Sequence, residues 1–585
     1  MLRGALCAPI VVGCSSPAAT FAPSAIYGSI ESARMSPKTH DALIAGLRHK
    51  IKHVFVIFQE NHSFDNYFGT YPGAENLGTA FAKAHGYSQF DPIGARQQTV
   101  FRTKIPDVLG PQQFRYVLER KFDNGKMDKF IMAEEGNATG AYGYSAFVAR
   151  QFGLTTMASY DCDTIPYLWM YAKNFTLLDH YFQAQTGESS PSAVSLFAAQ
   201  AGISQAHRFP DEASSRHDLR GVPIVNDLDP FLGPYEHHEW PVQIPQSYAS
   251  LAMLLGGATS AQAARSKPGK VAKDLATVAS SRAKSIPWEW DQEGFVDSTG
   301  AGARPGYEGH HNAPQYFDYV RLNSTYWSHV GTAQQALTGI EGGTLPDTGV
   351  YFIKGSSRNE FGWKPANKNP LVQKYYLGDD DHPGPGDTDS QVGEAFVATY
   401  VNAIAKSKYW KDSAIIITWD DGGGFFDHVP PRNWESCNDG YPCGDGQRLP
   451  FILISPYSAS GSVLTDYSDA ASVAKFVEAV FNLPSMASLP DEKIVAPYGP
   501  RDALTGLSDL AGAFDPNKLS GATAPNPPSM AEIPDAQVGH FPPAMSCSSL
   551  HIKPIAIPPQ PSYYNPLKTL KSYEERAPIP EAPTD

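Results

Sequence analysis

The sequence predicts an α/β protein built on a central, mostly parallel sheet with helices on both faces. Three observations predict it. Two apolar runs, Val54–Phe58 in HVFVIFQEN and Ile415–Trp419 in IIITWDDGGG, are continuous rather than alternating, as expected of strands buried on both faces. Between them, the stretch from about Ser390 to Lys406 sets Val392, Phe396, Val397, Tyr400, Val401 and Ile404 on one helical face and leads straight into the second run. Helix followed by buried strand is the alternation of a doubly wound sheet.

In chain order, Pro37–His49 reads as a short helix before the Val54–Phe58 strand. Gln112–Glu135 reads as helical and carries NGKMDKF, and Tyr167–Leu178 reads as an amphipathic helix. Gly187–Pro191 forms a turn ahead of an apolar helix, Ala193–Ala201. Periodicity fades over about 205–290 except for a helix near Ser260–Ser280, the pattern of an inserted cap. A strand follows at Gly349–Ile353, then the loop GDDDHPGPGDTD, a strand at Phe451–Ser455, and a helix carrying Val473, Phe476, Val477 and Val480. From about Pro516 the chain is proline-rich and weakly patterned, a surface-hugging or disordered tail. The expected organisation is one large domain over 37–510, with the cap inserted at about 205–290 and a tail over 511–585.

Composition suits a globular chain with a sizeable core: 42% of the 585 residues are hydrophobic and 12% aromatic. A net charge of −14 and the lack of any basic block argue against a nucleic-acid partner. No stretch approaches the length of a transmembrane helix. The first 20 residues, MLRGALCAPIVVGCSSPAAT, resemble a short secretory signal, and Val11–Cys14 resembles a lipobox with a possible lipid anchor at Cys14; a disordered start is the alternative. After Cys14 the cysteines are Cys162, Cys437, Cys443 and Cys547, which permit two disulfides, with Cys437–Cys443 the expected local pair.

The chemistry gathers at the strand ends. Glu60-Asn61 and Asp420-Asp421 close the two buried runs and together offer hard oxygen donors suited to Ca²⁺, Mg²⁺ or Mn²⁺. Each pair alone reads as surface polarity. Ser189, in the turn before a helix, could receive a phosphate at the helix N-terminus and act as a nucleophile, or could be a simple cap, as could Ser190 or Ser192. His310, His311 and His382 are candidates to contact phosphate or donate a proton, and His428 to orient the glycine loop. Glu236-His237-His238-Glu239 lacks HExxH spacing and reads as an exposed cluster. Asp379-Asp380-Asp381 with Asp387 and Asp389 lacks EF-hand spacing and reads as a solvated loop.

QENHSFDNYFG, NGKMDKF, GESSP with its AAQAG helix, GHHNAPQYF, DDHPGPGD, TWDDGGGFFDHVPP and GDGQRLPFILISPY occur in that order between about Lys52 and Pro484. Together they resemble the bacterial phosphoesterase family of acid phosphatases and non-haemolytic phospholipases C. The resemblance implies an alkaline-phosphatase-like fold and one divalent metal ion, with Ca, Mg, Mn and Zn all open, held by Glu60, Asn61, Asp420 and Asp421. It implies a transiently phosphorylated Ser189, phosphate contacts from His310 and His311, and His382 as proton donor to the leaving group. Gln113 stands where the family carries a phosphate-contacting histidine, and Glu188 where it commonly has proline.

The expected function is therefore a metal-dependent phosphoric ester hydrolase, an acid-phosphatase-like phosphomonoesterase. A phospholipase C acting on phospholipid head groups is the alternative, and a catalytically lost metal- and phosphate-binding surface protein the rival from another class. The expected location is periplasmic, secreted or outer-membrane-anchored in a bacterium.

Overall fold

The computed structural model describes residues 36–204, 221, 223, 225, 246–263, 269–281, 284–296, 305–432, 444–492 and 499–576. The sheet has eight strands: β1 (His53–Gln59), β2 (Thr176–Leu178), β3 (Trp288–Gln292), β4 (Val330–Gly331), β5 (Gly349–Lys354), β6 (Ser413–Trp419), β7 (Phe451–Ile454) and β8 (Ser462–Leu464). Their spatial order is β8-β2-β7-β6-β1-β5-β3-β4. β7 runs antiparallel to both neighbours and the other pairings are parallel. The architecture is the expected α/β one.

The helices that matter to the site are α1 (Pro37–Lys50), α2 (Arg115–Phe122), α3 (Phe130–Gly140), α4 (Pro166–Asn174), α5 (Ser189–Ala198), α6 (Ser390–Lys406) and α7 (Ala470–Phe481). The central strands explain why both faces must be covered. In β1, Val54, Val56 and Phe58 enter one core with α1, α5 and α7, whereas Phe55 and Ile57 enter a second core with α4 and α6. β6 divides the same way, Ala414 and Ile416 against Ile415, Ile417 and Trp419. Side chains alternate across a strand, so a run apolar at every position buries both faces.

Four expectations need correction. The helix over Tyr167–Leu178 ends at Asn174, and Thr176–Leu178 joins the sheet beside β7; periodicity cannot tell so short an apolar run from helix. The helix over Gln112–Glu135 is two, α2 and α3, because Asp123, Asn124 and Gly125 all take positive φ. Trp288–Gln292, at the end of the stretch expected to be an inserted cap, is strand β3 of the central sheet. The acidic loop Asp379–Asp381 is not solvated: all three aspartates and Asp389 are buried.

The C-terminal stretch lies along the domain. Arg102 N–H donates to the Pro558 carbonyl at 2.8 Å and Lys173 Nζ to the Leu550 carbonyl at 2.7 Å. A disulfide joins Cys162 to Cys547 across 385 residues. Cys437, Cys443, Cys14 with the signal-like start, Glu236–Glu239 and most of the cap lie outside the described residues. No described helix is long and apolar enough to cross a membrane.

Candidate active site

The carboxyl ends of β5, β1 and β6 lie side by side, the place where ligands bind in open α/β sheets. The register pairs Ile57 with Ile353 and Gln59 with Trp419, so the next residues of each strand, Lys354, Glu60 and Asp420, emerge at one edge. Asp420 N–H donates to the Gln59 carbonyl at 3.0 Å, and Glu60 N–H to the Asp380 carbonyl at 2.8 Å. The chain then turns sharply: Asn61 has φ +65° and Gly423 φ +58°. A Cβ on Gly423 would collide with the Asn61 carbonyl oxygen, so this glycine lets the loop after β1 and the loop after β6 touch.

Ser189 opens α5 beside these loops, after Glu188 at the N-cap. Its hydroxyl donates to Asp421 Oδ2 at 2.9 Å and lies 3.4 Å from Asn61 Oδ1. Asn61 Nδ2 donates to Gln113 Oε1 at 3.2 Å. Asp421 Oδ1 accepts from Gly423 N–H at 2.6 Å, and Asp420 Oδ1 from Asp421 N–H at 2.7 Å. Residues from four distant parts of the chain thus meet within hydrogen-bonding reach.

The histidines divide into two settings. His311 is fully buried, with Nδ1 3.1 Å from Glu60 Oε1 and Nε2 3.7 Å from Asp420 Oδ2. Burial, with His310, Lys354 and His382 nearby, pushes its pKa well below the usual range. His310 lies 3.8 Å from Glu308, and His382 3.0 Å from Asp387. Burial works against charge on His382, but Asp387, Glu60 and Asp380 raise its pKa well above the ordinary value. A protonated His382 is the form a leaving-group acid requires.

A cavity of about 290 Å³ opens onto this edge, lined by Glu60, Gln113, Ser189, His310 and His382 together with Glu188, Glu308, Asp380, Asp387 and Tyr142. Four of these, Glu60, Glu188, Ser189 and Asp380, are themselves almost wholly buried. Such a space suits a phosphoryl group and a small substituent.

Sequence reasoning missed two members. Lys354 Nζ lies 2.5 Å from Glu60 Oε1 in full burial. Burial alone would lower its pKa, but Glu60, Asp380 and Asp420 hold it above the usual lysine range. Its signal was available: a charge closing the apolar run GVYFI, just as Glu60 and Asp420 close theirs. Asp380 accepts from His382 N–H at 3.2 Å and Thr388 Oγ1 at 2.6 Å through Oδ1, while its buried Oδ2 has no hydrogen-bond partner.

His428 stands behind the glycine loop. Its Nδ1 lies 2.7 Å from Asp65 Oδ2 and its Nε2 3.2 Å from Glu75. Arg448 spans Asp65 and Asp427 at 3.0 and 3.1 Å. Burial opposes charge on His428, yet Asp65 and Glu75 lift its pKa to about 9. This buried network ties the helix after Asn61 to the loop after Gly424.

The residues present fit a divalent cation. Oxygen donors from Glu60, Asn61, Asp420 and Asp421 converge, and the unsatisfied Asp380 Oδ2 and both His311 nitrogens are buried beside them.

A family model described as the Phosphoesterase family matches residues 51–484. The non-hemolytic phospholipase C of Burkholderia pseudomallei is 24% identical over 520 residues, covering 84% of this chain and 62% of that protein. The hemolytic phospholipase C of Pseudomonas aeruginosa is 22% identical over 83% of this chain and 59% of its own length. The chain therefore spans about 60% of the length of these two curated relatives. Among solved structures, the PsFucS1 sulfatase from Pseudoalteromonas sp. aligns over 82% of this chain and 78% of its own, at 10% identity and a TM-score of 0.35, too loose a match to bear on function.

Proposed function

The chain belongs to the Phosphoesterase family, and we propose that it is a metal-dependent phosphoric ester hydrolase, a phosphomonoesterase with Ser189 as nucleophile. The observation that carries this reading is Ser189 Oγ, 2.9 Å from Asp421 at the N-terminus of α5, on the wall of a cavity shared with Glu60, Asp380 and His382.

In this reading Glu60, Asn61, Asp420 and Asp421 hold the divalent ion, which when bound supplies positive charge for phosphoryl oxygens and favours the serine alkoxide. Asp421 and Asn61 orient Ser189 Oγ for in-line attack on phosphorus. The α5 N-terminus and His310 receive the equatorial oxygens. As the bond from phosphorus to the ester oxygen breaks, His382 gives its proton to that oxygen, and Asp387 and Asp380 favour the imidazolium beforehand. His382, now neutral, takes a proton from a water that attacks phosphoserine, releasing phosphate and restoring Ser189. Gln113, hydrogen-bonded to Asn61, lines the phosphate pocket, as does Glu188.

A second reading, phospholipase C activity, is favoured by the names of the relatives at 24% and 22% identity. The cavity of about 290 Å³, with Glu188, Glu308 and Asp387 on its walls, accommodates a head group but not an acyl chain, so the lipid tails would lie outside. The Cys162–Cys547 disulfide supports an exported protein.

The test is hydrolysis of p-nitrophenyl phosphate and phosphatidylcholine by the wild type, Ser189→Ala and chelator-treated protein, with mass-spectrometric trapping of phosphoserine after acid quench. We expect Ser189→Ala to lose roughly a thousand-fold or more in turnover and the trapped phosphate to map to Ser189. Undiminished turnover by Ser189→Ala overturns the mechanism. Faster turnover of the lipid than of monoesters favours the second reading, and no turnover of either favours a catalytically lost binding protein.

A further inference from the structure

His311 is wholly buried in the short turn Gly309–His311, held by the backbone bond from His311 N–H to the Glu308 carbonyl at 3.1 Å. Its ring is wedged between two carboxylates, Nδ1 at 3.1 Å from Glu60 Oε1 and Nε2 at 3.7 Å from Asp420 Oδ2, yet neither nitrogen makes a hydrogen bond of acceptable geometry. Donor atoms of the three residues all lie within 4.8 Å of one another. We propose that His311 is a nitrogen ligand of the metal site, completing a Glu60–His311–Asp420 face, and that the site therefore takes a nitrogen-accepting divalent ion such as Zn²⁺ in preference to Ca²⁺, Mg²⁺ or Mn²⁺.

The physical case rests on what the ring faces. A neutral imidazole has one N–H and one lone pair. Ionised carboxylates only accept, so whichever nitrogen carries the lone pair confronts oxygen lone pairs with no proton between them. Buried polar atoms seldom stay unsatisfied, because the cost is one to a few kcal/mol each. A cation between the donors removes the conflict. Donors about 2.1 Å from one ion, at tetrahedral or octahedral angles, sit roughly 3.0–3.5 Å apart, and the 3.1 Å between His311 Nδ1 and Glu60 Oε1 falls in that range. Lys354 does not relieve His311: its ammonium is bonded to Glu60 Oε1, and neither ring nitrogen of His311 has a hydrogen-bond partner. His310, next along the turn, lines the cavity instead, so the two adjacent histidines separate into one facing substrate and one facing metal.

Metal selectivity follows from donor type. Ca²⁺, Mg²⁺ and Mn²⁺ prefer oxygen shells, whereas imidazole suits Zn²⁺ and its neighbours. The inference rests on the reading that Glu60 and Asp420 hold a metal, and the experiment separates the two. The full chain, stripped with chelator, is dialysed against an equimolar mixture of Ca²⁺, Mg²⁺, Mn²⁺ and Zn²⁺ and its retained ions are counted by inductively coupled plasma mass spectrometry. A second sample given Mn²⁺ alone is examined by pulsed EPR for coupling to ¹⁴N. We expect retained Zn²⁺ over Ca²⁺, Mg²⁺ and Mn²⁺, and nitrogen coupling in the sample given Mn²⁺ alone. His311→Ala should weaken Zn²⁺ retention by about 10–100-fold and abolish the coupling. His311→Gln, which keeps most of the side-chain volume and offers an oxygen, should shift retention towards Ca²⁺ and Mg²⁺, with folding checked by circular dichroism. Stoichiometric retention of Ca²⁺ or Mg²⁺ by the wild type, or selectivity and coupling unchanged in both variants, overturns the His311 assignment while leaving the metal reading intact. Retention of no ion by the wild type overturns both.

Discussion

Lys354 Nζ lies 2.5 Å from Glu60 Oε1, and both are fully buried at the ends of adjacent strands. The lysine is an internal cation for Glu60, Asp380 and Asp420, which would otherwise repel one another in a medium that solvates charge poorly. Lys354→Met should therefore destabilise the metal-free protein by about 3–5 kcal/mol, the usual cost of stranding a buried charge. Saturating divalent metal should recover part of that loss. Urea unfolding with and without metal checks it, and equal destabilisation in both conditions would contradict the role given to Lys354.

The His428 network makes a prediction about pH. The folded pKa of about 9 exceeds the ordinary value of 6.5, so the native state binds the proton more tightly than the unfolded chain. That stabilisation is fully present below about pH 6.5 and is lost as pH rises through about 9. Asp65→Asn removes the carboxylate that meets both His428 and Arg448. The variant should lose about 3–5 kcal/mol at pH 6, and its stability should vary less between pH 6.5 and 9 than that of the wild type. Thermal unfolding at those pH values is the measurement.

Gly423→Ala tests the close approach of the loops after β1 and β6. The position combines φ +58° with a Cβ that would strike the Asn61 carbonyl, so both strain and collision oppose any side chain. We expect loss of hydrolysis and of metal retention with a smaller drop in melting temperature, since the displaced groups lie at the site edge rather than in either core. Unchanged metal retention would show that the loops can part without cost.

The legibility of this fold varied with how much of each element is local. β1 and β6 stood out because a run apolar at every position has few other readings, and α6 because its seventeen residues sustain one apolar face. β2 did not, because three residues, Thr176–Leu178, gain their strand character from pairing with β7, where Leu177 stands opposite Ile452, 275 residues on in the sequence. The site candidates Glu60, Asn61, Ser189, Asp420 and Asp421 were legible as strand-end and helix-start chemistry. Asp380 was not: three aspartates among glycines and prolines look like solvated loop, and only the tertiary fold buries them beside Glu60.

Cys162–Cys547 closes a loop of 385 residues, so its loss should release considerable chain entropy to the unfolded state. Cys162→Ala with Cys547→Ala should lower stability by about 2–5 kcal/mol while leaving the site geometry, which the disulfide does not touch, in place. Denaturation by urea, with turnover measured in parallel, separates the two effects. A fall in turnover without a fall in stability would point to a direct role for the C-terminal stretch.

Glu135 gives the sharpest stability-versus-pH test away from the site. It is buried beside Asp91, whose own carboxylate is held by Arg150 at 2.8 Å, and one Glu135 oxygen lacks any hydrogen-bond partner. Burial first, and Asp91 with it, lifts the Glu135 pKa to about 8, from an ordinary value of 4.5. The native state therefore keeps a proton that the unfolded chain gives up. Stability from this residue is full below pH 4.5 and falls as pH rises towards 8, above which the penalty is constant. Glu135→Gln preserves the acceptor for Ile93 N–H, which the carboxylate meets at 3.1 Å, and supplies a permanent donor towards Asp91. The variant should match the wild type at pH 4.5 and exceed its melting temperature at pH 8. Equal melting temperatures at both pH values would mean that Glu135 is ionised in the folded protein and that Arg150 neutralises both acids.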